Sequence, residues 1–166
     1  MNAISVRTVA SFGLSHANTW AAFEPGRKEG TKQAALVAFT ATVGESACDA
    51  TGHLSIGHIT SLNDTLNSYH VMERLYPDLS IHVSVSLQSQ LLRPIPVGEK
   101  IVVISTIDKM GKNLVYCKSD FYLDRPMAAT EKVSPITTVR EVKQALSEYE
   151  KLATGTHIKS ILRAKQ

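Results

Sequence analysis

The stretch that most constrains the fold is residues 52–76, which has the pattern of one long amphipathic helix. Its apolar residues recur at three- and four-residue steps and so share one face: Ile59, Leu62, Leu66 and Tyr69. At about 100° per residue, the opposite face is small and polar: Gly57, Thr60, Ser61, Asp64 and Ser68. A solvated helix face usually carries several long charged side chains. We therefore expect this helix to be covered by a sheet on one side and by something else on the other.

Asp64 is the only formally charged residue between positions 50 and 72. A single carboxylate on a covered helix, among hydroxyls and a glycine, is a candidate for chemistry. The alternative is that Asp64 only forms a hydrogen bond with a nearby loop, since perturbed carboxylates are often structural.

Length and composition indicate a single globular domain. The chain has 166 residues, of which 43% are hydrophobic and 20% charged, enough for one core and short of two ordinary domains. No apolar run approaches the roughly 20 residues that span a bilayer, so no membrane span is predicted. A net charge of +3 without a dense basic stripe argues against nucleic acid as a partner and is compatible with an anionic small ligand.

Cysteine usage and the N-terminus bear on location. Cys48 and Cys117 lie far apart and form no CxxC motif, which fits an intracellular, reducing compartment. Residues 1–23 contain no acidic residue but only one arginine, Arg7. Residues 1–30 are therefore interpreted as an N-terminal extension or targeting segment, and the predicted location is cytoplasmic or mitochondrial.

Most of the remaining chain is predicted to be β-structure. Predicted strands span 33–43, 81–91, 100–107, 114–123 and 127–136, with a hairpin turn at 109–113 and a short helix at 15–23. In 81–91 the apolar residues at 81, 83, 85 and 87 alternate with polar ones, which predicts one buried and one polar face. One long helix against one antiparallel sheet is an α+β architecture.

The C-terminal region is predicted to be helical. Thr138 and Glu141 have the spacing of a capping box, and Gly155 is the expected end of the helix. The apolar stripe of this helix is Val139, Val142, Leu146, Tyr149 and Leu152. A further short helix is predicted within 157–166. The predicted domain therefore spans 31–136, followed by a helical extension over 137–166.

Several common catalytic motifs are absent. There is no phosphate-binding glycine loop, no dinucleotide fingerprint, no HExxH and no GxSxG. His53 and His58 would lie about 140° apart around a helix and so would not converge on one metal. No metal site and no cofactor is predicted. Arg93 is interpreted either as a solvated residue at a strand end or as a contact for a ligand phosphate.

Two segments carry a resemblance to a known family. Residues 91–103, LLRPIPVGEKIVV, resemble the "FLRPxxxGE" segment of the hotdog-fold acyl-coenzyme A thioesterases. The branch is the one that includes the phenylacetate-pathway and 4-hydroxybenzoyl-coenzyme A thioesterase-like enzymes. The loop before the long helix resembles the family's N-x-x-G-x-x-H-G-G, with Gly52 and Gly57 matching glycines and Asp64 in the place of the catalytic acid. The resemblance covers roughly residues 33–135 and implies an antiparallel sheet wrapped around a long central helix.

The sequence departs from the family motif at three positions. Asp49 stands where the family has asparagine, Ser55 replaces the histidine, and Ile56 replaces the first glycine of the pair. The family uses a backbone N–H at that glycine as its oxyanion donor, and any residue supplies an N–H at a helix N-terminus.

The resemblance implies hydrolysis of an acyl-coenzyme A thioester at a dimer interface. Asp64 would act as general base or nucleophile, and Ser84 would orient the water. The N–H groups of Ile56 and Gly57 would hold the oxyanion. Asp49 would form a carboxylate pair with the partner's Asp64. Ser55, Ser61 and Arg93 are the candidate substrate contacts.

Three functions remain open from the sequence. The first is a thioesterase that forms a homodimer or a dimer of dimers. The second is an inactive module of the same fold, which binds an acyl group or serves as a structural subunit. The third is a hydratase or dehydratase, for which the sequence shows no clear pairing of histidine and acid.

Overall fold

The computed structural model describes residues 19–22, 36–75, 80–124, 142, 144, 146, 147 and 149–162. One long helix, α1 (Ile56–Leu75), follows a short 3-10 helix (Glu45–Ala47). The strands are β1 (Thr19–Ala22), β2 (Leu36–Thr42), β3 (Ile81–Leu91), β4 (Lys100–Met110), β5 (Leu114–Leu123) and β6 (Lys151–Leu162). They form one antiparallel sheet in the order β1-β2-β4-β5-β6-β3.

The main core lies between α1 and one face of the sheet, as the helical periodicity predicts. Ile59, Leu62 and Leu66 of α1 are buried in it, and Tyr69 packs edge-on against Phe39 with ring centroids 5.7 Å apart. The sheet contributes alternate residues of its strands to this core: Val37, Phe39, Ile101, Val103, Phe121 and Ala153. Burial of these side chains fixes which face of α1 is turned toward the sheet.

The opposite face of β2 and β4 is also buried. Leu36 and Ala38 of β2, with Val102 and Ile104 of β4, form a second core with Val142 and Leu146. Both cores require apolar residues at consecutive positions, which explains why β2 and β4 have continuous apolar runs and no clear alternation. Residues 142, 144 and 146 are helical, so Val142 and Leu146 of the predicted C-terminal stripe cover the outer face of the sheet.

A buried polar network ties α1 to three strands. Asn67 Oδ1 accepts hydrogen bonds from Ser105 Oγ of β4 (2.7 Å) and Ser119 Oγ of β5 (3.1 Å), and Asn67 Nδ2 donates to Asn63 Oδ1 (2.6 Å). Asn63 Nδ2 in turn donates to the Gln88 carbonyl of β3 (3.0 Å). All four side chains of the asparagines and serines are buried. Buried polar groups need their partners, so the network sets the position of α1 along the sheet.

Two predictions about the chain ends are wrong. Residues 19–22, predicted as helix, form strand β1, which pairs with β2 at Trp20↔Ala38. A short isolated segment gains little as a helix, whereas the edge of β2 supplies hydrogen bonds. Residues 151–162, predicted as a helix end and a second helix, form β6, which pairs with both β5 and β3. The domain boundary predicted at residue 136 therefore excluded a strand of the sheet.

The physical reason for the second error lies in the composition of the inward face of β6. Its residues include Gly155, His157 and Lys159, all buried or covered by the helix. Only Ala153 and Ile161 on that face are apolar. A period-two hydrophobic signal is therefore absent, and the strand looks like a basic tail in the sequence.

The prediction of a buried apolar face on β3 is wrong for its first half. Ile81, Val83 and Val85 are exposed, at 69%, 43% and 60%. The register shifts between Ser84 and Ser86. This β-bulge reverses the face of the sheet to which the following side chains point. The side that faces α1 carries His82 and Ser84, which pair with the inward-facing Ile161 and Lys159 of β6. The apolar side of this strand is left on the outer surface.

The remaining strands are found where they were predicted in the described residues, although β4 ends at Met110 and not at 107. Strands β3 and β5 have the predicted bounds, and β4 and β5 form the predicted hairpin, with Gly111 in the turn. The predicted strand at 127–136 and nearly all of the N-terminal segment 1–30 lie outside the described residues. No helix of the described part has the length and apolar character needed to cross a membrane.

Candidate functional site

The two segments that carry the sequence resemblance lie side by side. Leu54 N–H donates to the Ile95 carbonyl (2.8 Å), and Val97 N–H donates to the Gly52 carbonyl (3.0 Å). Gly52 has a φ of +78°, in the left-handed region that glycine adopts without a steric penalty. The loop at the start of α1 is therefore held against the turn between β3 and β4.

Ser55 caps the N-terminus of α1. The N–H of His58 donates to Ser55 Oγ (3.2 Å), which is the usual hydrogen bond of an N-cap serine. The N–H groups of Ile56 and Gly57 have no acceptor within the helix, and the helix dipole adds positive potential there. Ile56 is 49% exposed, and a Cβ built on Gly57 would meet no heavy atom within 4 Å. These two N–H groups are therefore free to donate hydrogen bonds to an oxyanion.

Asp49 fastens the loop that precedes α1. Its Oδ1 accepts hydrogen bonds from Thr51 Oγ1 (2.6 Å), Thr51 N (2.8 Å) and His53 N (3.3 Å). The hydrogen bonds from Thr51 lower the pKa of Asp49 below its usual value. Within one chain, the described contacts of Asp49 do not include Asp64.

Asp64 lies at the centre of a polar cluster between α1, β3 and β6. Its Oδ1 accepts the hydroxyl of Ser84 (3.2 Å) and lies 3.5 Å from both His157 Nε2 and Lys159 Nζ. The Asp64 side chain is 46% exposed, whereas those of His157 and Lys159 are 0% and 3% exposed. The structure thus brings the predicted residues Asp64 and Ser84 together and adds two residues that the sequence analysis missed.

His157 is a neutral histidine in contact with Ser84. Its Nε2 lies 2.9 Å from Ser84 Oγ. Burial, and then the charge of Lys159, lower the pKa of His157 to about 4. Since the single hydroxyl proton of Ser84 bonds best to the charged carboxylate, we assign the ring proton to Nε2, which donates to Ser84 Oγ. The order of donation is then from His157 to Ser84 to Asp64.

Lys159 and His82 complete the cluster. Lys159 Nζ lies 3.4 Å from Ser84 Oγ as well as 3.5 Å from Asp64, and burial lowers the pKa of its ammonium group. Burial, and then the charge of Lys159, also lower the pKa of His82. One anion and one cation therefore stand beside two histidines that are neutral at physiological pH.

Two predicted substrate contacts lie apart from this cluster. Ser61 Oγ donates to the Gly57 carbonyl of its own helix (3.0 Å). Arg93 Nε lies 2.7 Å from Glu150 Oε1, and both side chains are more than half exposed. The described contacts of Ser61 and Arg93 are thus a helix backbone bond and a surface ion pair.

The start of α1 and Asp64 are too far apart to act on one group within a single chain. Asp64 lies seven positions after Gly57, which at about 1.5 Å per residue is roughly 10 Å along the helix. To act on one substrate carbonyl, a hydrogen-bond donor must lie about 3 Å from its oxygen, and a base or nucleophile must lie about 3 Å from the reacting atoms. Within one chain, Asp64 and the helix N-terminus therefore do not face a common point.

A sequence signal for His157 and Lys159 existed, but only in the context of a strand. The two residues stand two apart, as do residues on one face of a strand. The inward series 153, 155, 157, 159 and 161 becomes visible once the segment is assigned as β-structure. Among the described residues no group of three histidine, cysteine, aspartate or glutamate side chains could hold a metal ion.

Comparison with known proteins identifies the fold. No protein-family model and no curated protein sequence matches the chain. Among solved structures, zebra fish thioesterase superfamily member 2 is 18% identical, with a TM-score of 0.59, over 77% of this chain and 75% of that one. The Escherichia coli PaaI protein of the phenylacetic acid degradation operon is 12% identical, with a TM-score of 0.63, over 95% and 89%.

A third neighbour was solved with a ligand. A hypothetical thioesterase protein of Streptococcus pneumoniae, in complex with coenzyme A, is 12% identical, with a TM-score of 0.59, over 83% of this chain and 86% of that one. These neighbours, with the six-stranded antiparallel sheet and long helix described above, establish that the chain has the α+β hotdog fold.

Proposed function

We propose that this hotdog-fold chain is a thioesterase that hydrolyses an acyl-coenzyme A thioester. The observation that carries the proposal is the contact between Asp64 and Ser84, with Asp64 46% exposed beside the buried side chains of His157 and Lys159. A carboxylate that is held in place and open to solvent on one side is suited to act on a water molecule.

The proposed reaction uses Asp64 as the general base. Its carboxylate removes a proton from a water molecule as the water oxygen attacks the thioester carbonyl carbon. The carbon–sulfur bond then breaks, and Asp64 returns its proton to the departing thiolate. The products are a carboxylic acid and the free thiol of coenzyme A. In a variant of this route, Asp64 attacks the carbon directly and water hydrolyses the resulting anhydride.

The proposed oxyanion site is the N-terminus of α1 in a second copy of the chain. The N–H groups of Ile56 and Gly57 lie roughly 10 Å from Asp64 of their own chain, so a complete site requires a homodimer, alone or as half of a dimer of dimers. In the described part of the chain β3 has a partner strand on one edge only. That open edge and the exposed apolar side chains of β3 support an assembly through this strand.

The choice of a coenzyme A thioester is supported by the neighbours. Several solved structures with this fold are described as thioesterases, and the one from Streptococcus pneumoniae contains coenzyme A. A coenzyme A thioester substrate implies an intracellular location, cytoplasmic or mitochondrial, where the free thiols of Cys48 and Cys117 also fit. The acyl group is left open in this proposal.

The other predicted site residues receive revised roles in the proposal. Ser55 acts as the helix cap that presents the oxyanion donors. Asp49 stabilises the loop by hydrogen bonds with Thr51 and His53. In the proposed dimer, it approaches Asp64 of the second chain and not Asp64 of its own chain. Arg93 reaches a substrate phosphate only if its ion pair with Glu150 breaks. Ser61 lies on the same side of α1 as Asp64.

The substitution Asp64→Asn tests the proposal. It keeps the size of the side chain and its contact with Ser84 but removes the base, so kcat/KM should fall by about 10²- to 10⁴-fold. Hydrolysis is measured by thiol release from acyl-coenzyme A substrates of increasing chain length, with circular dichroism as a check of the fold. A folded variant that keeps more than about a tenth of the activity would exclude this role.

A second candidate is a binding module without catalysis. It is favoured by the substitution of the family's His-Gly pair by Ser55 and Ile56. Saturable binding of acyl-coenzyme A, measured by calorimetry, without any thiol release by the wild-type chain would support the module and exclude the enzyme.

A further inference from the structure

We propose that Lys159 is a positioning residue of the candidate site, where its ammonium group holds Oδ1 of Asp64 and leaves Oδ2 to act on water. This inference rests on the proposed thioesterase function and assigns a role in it to a residue of β6. Lys159 touches Asp64 and Ser84, not the thioester.

The geometry concentrates all described contacts of the Asp64 carboxylate on one oxygen. Oδ1 receives the Ser84 hydroxyl at 3.2 Å, Lys159 Nζ at 3.5 Å and the Ser68 hydroxyl at 3.4 Å. Among the described residues none makes a hydrogen bond or an ion pair to Oδ2. An oxygen that is free of protein donors keeps its lone pairs for a proton of water.

Lys159 has Asp64 as its only carboxylate partner among the described residues. Its side chain is 3% exposed, and lysine is almost never buried to this extent without a partner. Its second contact is Ser84 Oγ at 3.4 Å. Both polar contacts described for the ammonium group are thus with residues of the candidate site.

Stability alone does not account for a lysine at this position. The neighbouring inward residues Ile161, Val115 and Cys117 form an apolar cluster, which a methionine would extend. Replacing a buried ion pair by apolar residues is often neutral or stabilising. The lysine is therefore better explained by what its charge does to Asp64.

The role predicts a dependence of activity on alkaline pH. Four titratable groups face Lys159 from the elements around it: Asp64 of α1, His82 of β3, Cys117 of β5 and His157 of β6. Burial lowers the pKa of Lys159 from its usual value of 10.5, and the charge of Asp64 opposes this shift. As the pH rises through the lowered pKa, Lys159 loses its proton, Oδ1 loses its cation, and kcat should fall.

Three variants test the role by steady-state kinetics between pH 6 and 10, corrected for uncatalysed hydrolysis. Lys159→Met should lower kcat about 10- to 100-fold, as a small misplacement of a catalytic group does, and should leave KM nearly unchanged. Its kcat should not fall further at alkaline pH. Lys159→Arg keeps a charge that does not titrate in this range, so it should retain more activity than the methionine variant and also lack the fall. Lys151→Met is the matched control, since Lys151 lies on the same strand but pairs with Asp120.

The outcomes separate this inference from the proposed function. If the wild-type chain releases no thiol from any substrate, the thioesterase proposal fails and the Lys159 role fails with it. If the wild type is active and Lys159→Met has the same kcat and alkaline profile, only the Lys159 role is overturned.

A spectroscopic measurement keeps the inference testable if Lys159→Met does not fold. The ammonium of Lys159 is titrated by NMR in the wild type and in Asp64→Asn. Because the Asp64 charge raises the pKa of Lys159, that pKa should be lower in the asparagine variant. Equal titration curves in the two proteins would show that the charges do not interact and would overturn the role.

Discussion

At the scale of single residues, the candidate site is built around one serine hydroxyl. Ser84 Oγ of β3 lies within 3.4 Å of Asp64 from α1 and of His157 and Lys159 from β6. The histidine is neutral because it is buried beside a lysine. Because His157 is neutral, Lys159 pairs with Asp64 without a second positive charge buried beside it.

The neutral state of His157 predicts a specific loss of stability in acid. Burial lowers its folded-state pKa to about 4 from 6.5, so its contribution is complete above pH 6.5 and is lost as the pH falls toward 4. From the pKa difference, the free energy of unfolding of the wild type should fall by about 2–3 kcal/mol more than that of His157→Gln between pH 7 and 4. Urea unfolding at a series of pH values measures both proteins, and parallel curves would contradict the prediction.

At the scale of elements, β6 depends on a close approach between the strand and α1. A Cβ added to Gly155 would collide with the side-chain amide of Asn63. Asn63, which directly precedes Asp64, also links α1 to β3 through its hydrogen bond to the Gln88 carbonyl. The glycine thus permits the buried amide that sets the position of the candidate base.

Gly155→Ala should therefore destabilise the protein and impair the site. Forcing an extra carbon into a packed contact costs about 1–3 kcal/mol, and the shift of Asn63 should displace Asp64. Thermal unfolding measures the first effect. Gly57→Ala is the matched control, because it adds the same carbon where no atom lies within 4 Å and should be neutral or slightly stabilising in a helix.

A double-mutant cycle identifies the partner of the added carbon. Asn63→Ala should cost less stability in the Gly155→Ala background than in the wild type, because it removes the group that collides. Additive losses would show that the destabilisation of Gly155→Ala arises elsewhere.

At the scale of the whole molecule, we predict self-association from the exposed apolar side of β3 and from the distance between Asp64 and the helix N-terminus. Ile81, Val83 and Val85 leave an apolar strip beside an edge that has no partner strand in the described part of the chain. We expect sedimentation equilibrium at micromolar concentration to show at least twice the 18.1 kDa mass of one chain. A monomer at that concentration would remove the basis for the proposed active site.

Mixing two inactive variants should restore activity if each site uses two chains. Asp64→Asn removes the base. Ile56→Pro removes a candidate oxyanion N–H at the first helical position, where proline is tolerated. A mixed dimer has one intact site and one doubly altered site, so random exchange should recover about a quarter of the wild-type activity. No recovery, with mixed dimers verified by mass spectrometry, would show that the site does not form across the interface.

Several elements were predictable from the sequence because they depend on neighbours along the chain. The apolar spacing of α1 and the turn at Gly111 that joins β4 to β5 are local signals. Both elements form, although the helix begins at Ile56 and not at Gly52, and β4 runs on to Met110. The resemblance pointed to Asp64 and Ser84, and the contact between them is present. Their predicted catalytic roles stay predictions.

The tertiary structure alone decided that 151–162 is a strand and that His157 and Lys159 lie beside Asp64. Local spacing favoured a helix ending at Gly155, whereas pairing with β5 and β3 on both sides makes the segment a central strand. A lysine at position 159 reads as a surface residue until α1 places a carboxylate 3.5 Å from its ammonium group. Burial of a charge depends on a partner that is distant in sequence, so a periodicity confined to one segment cannot reveal it.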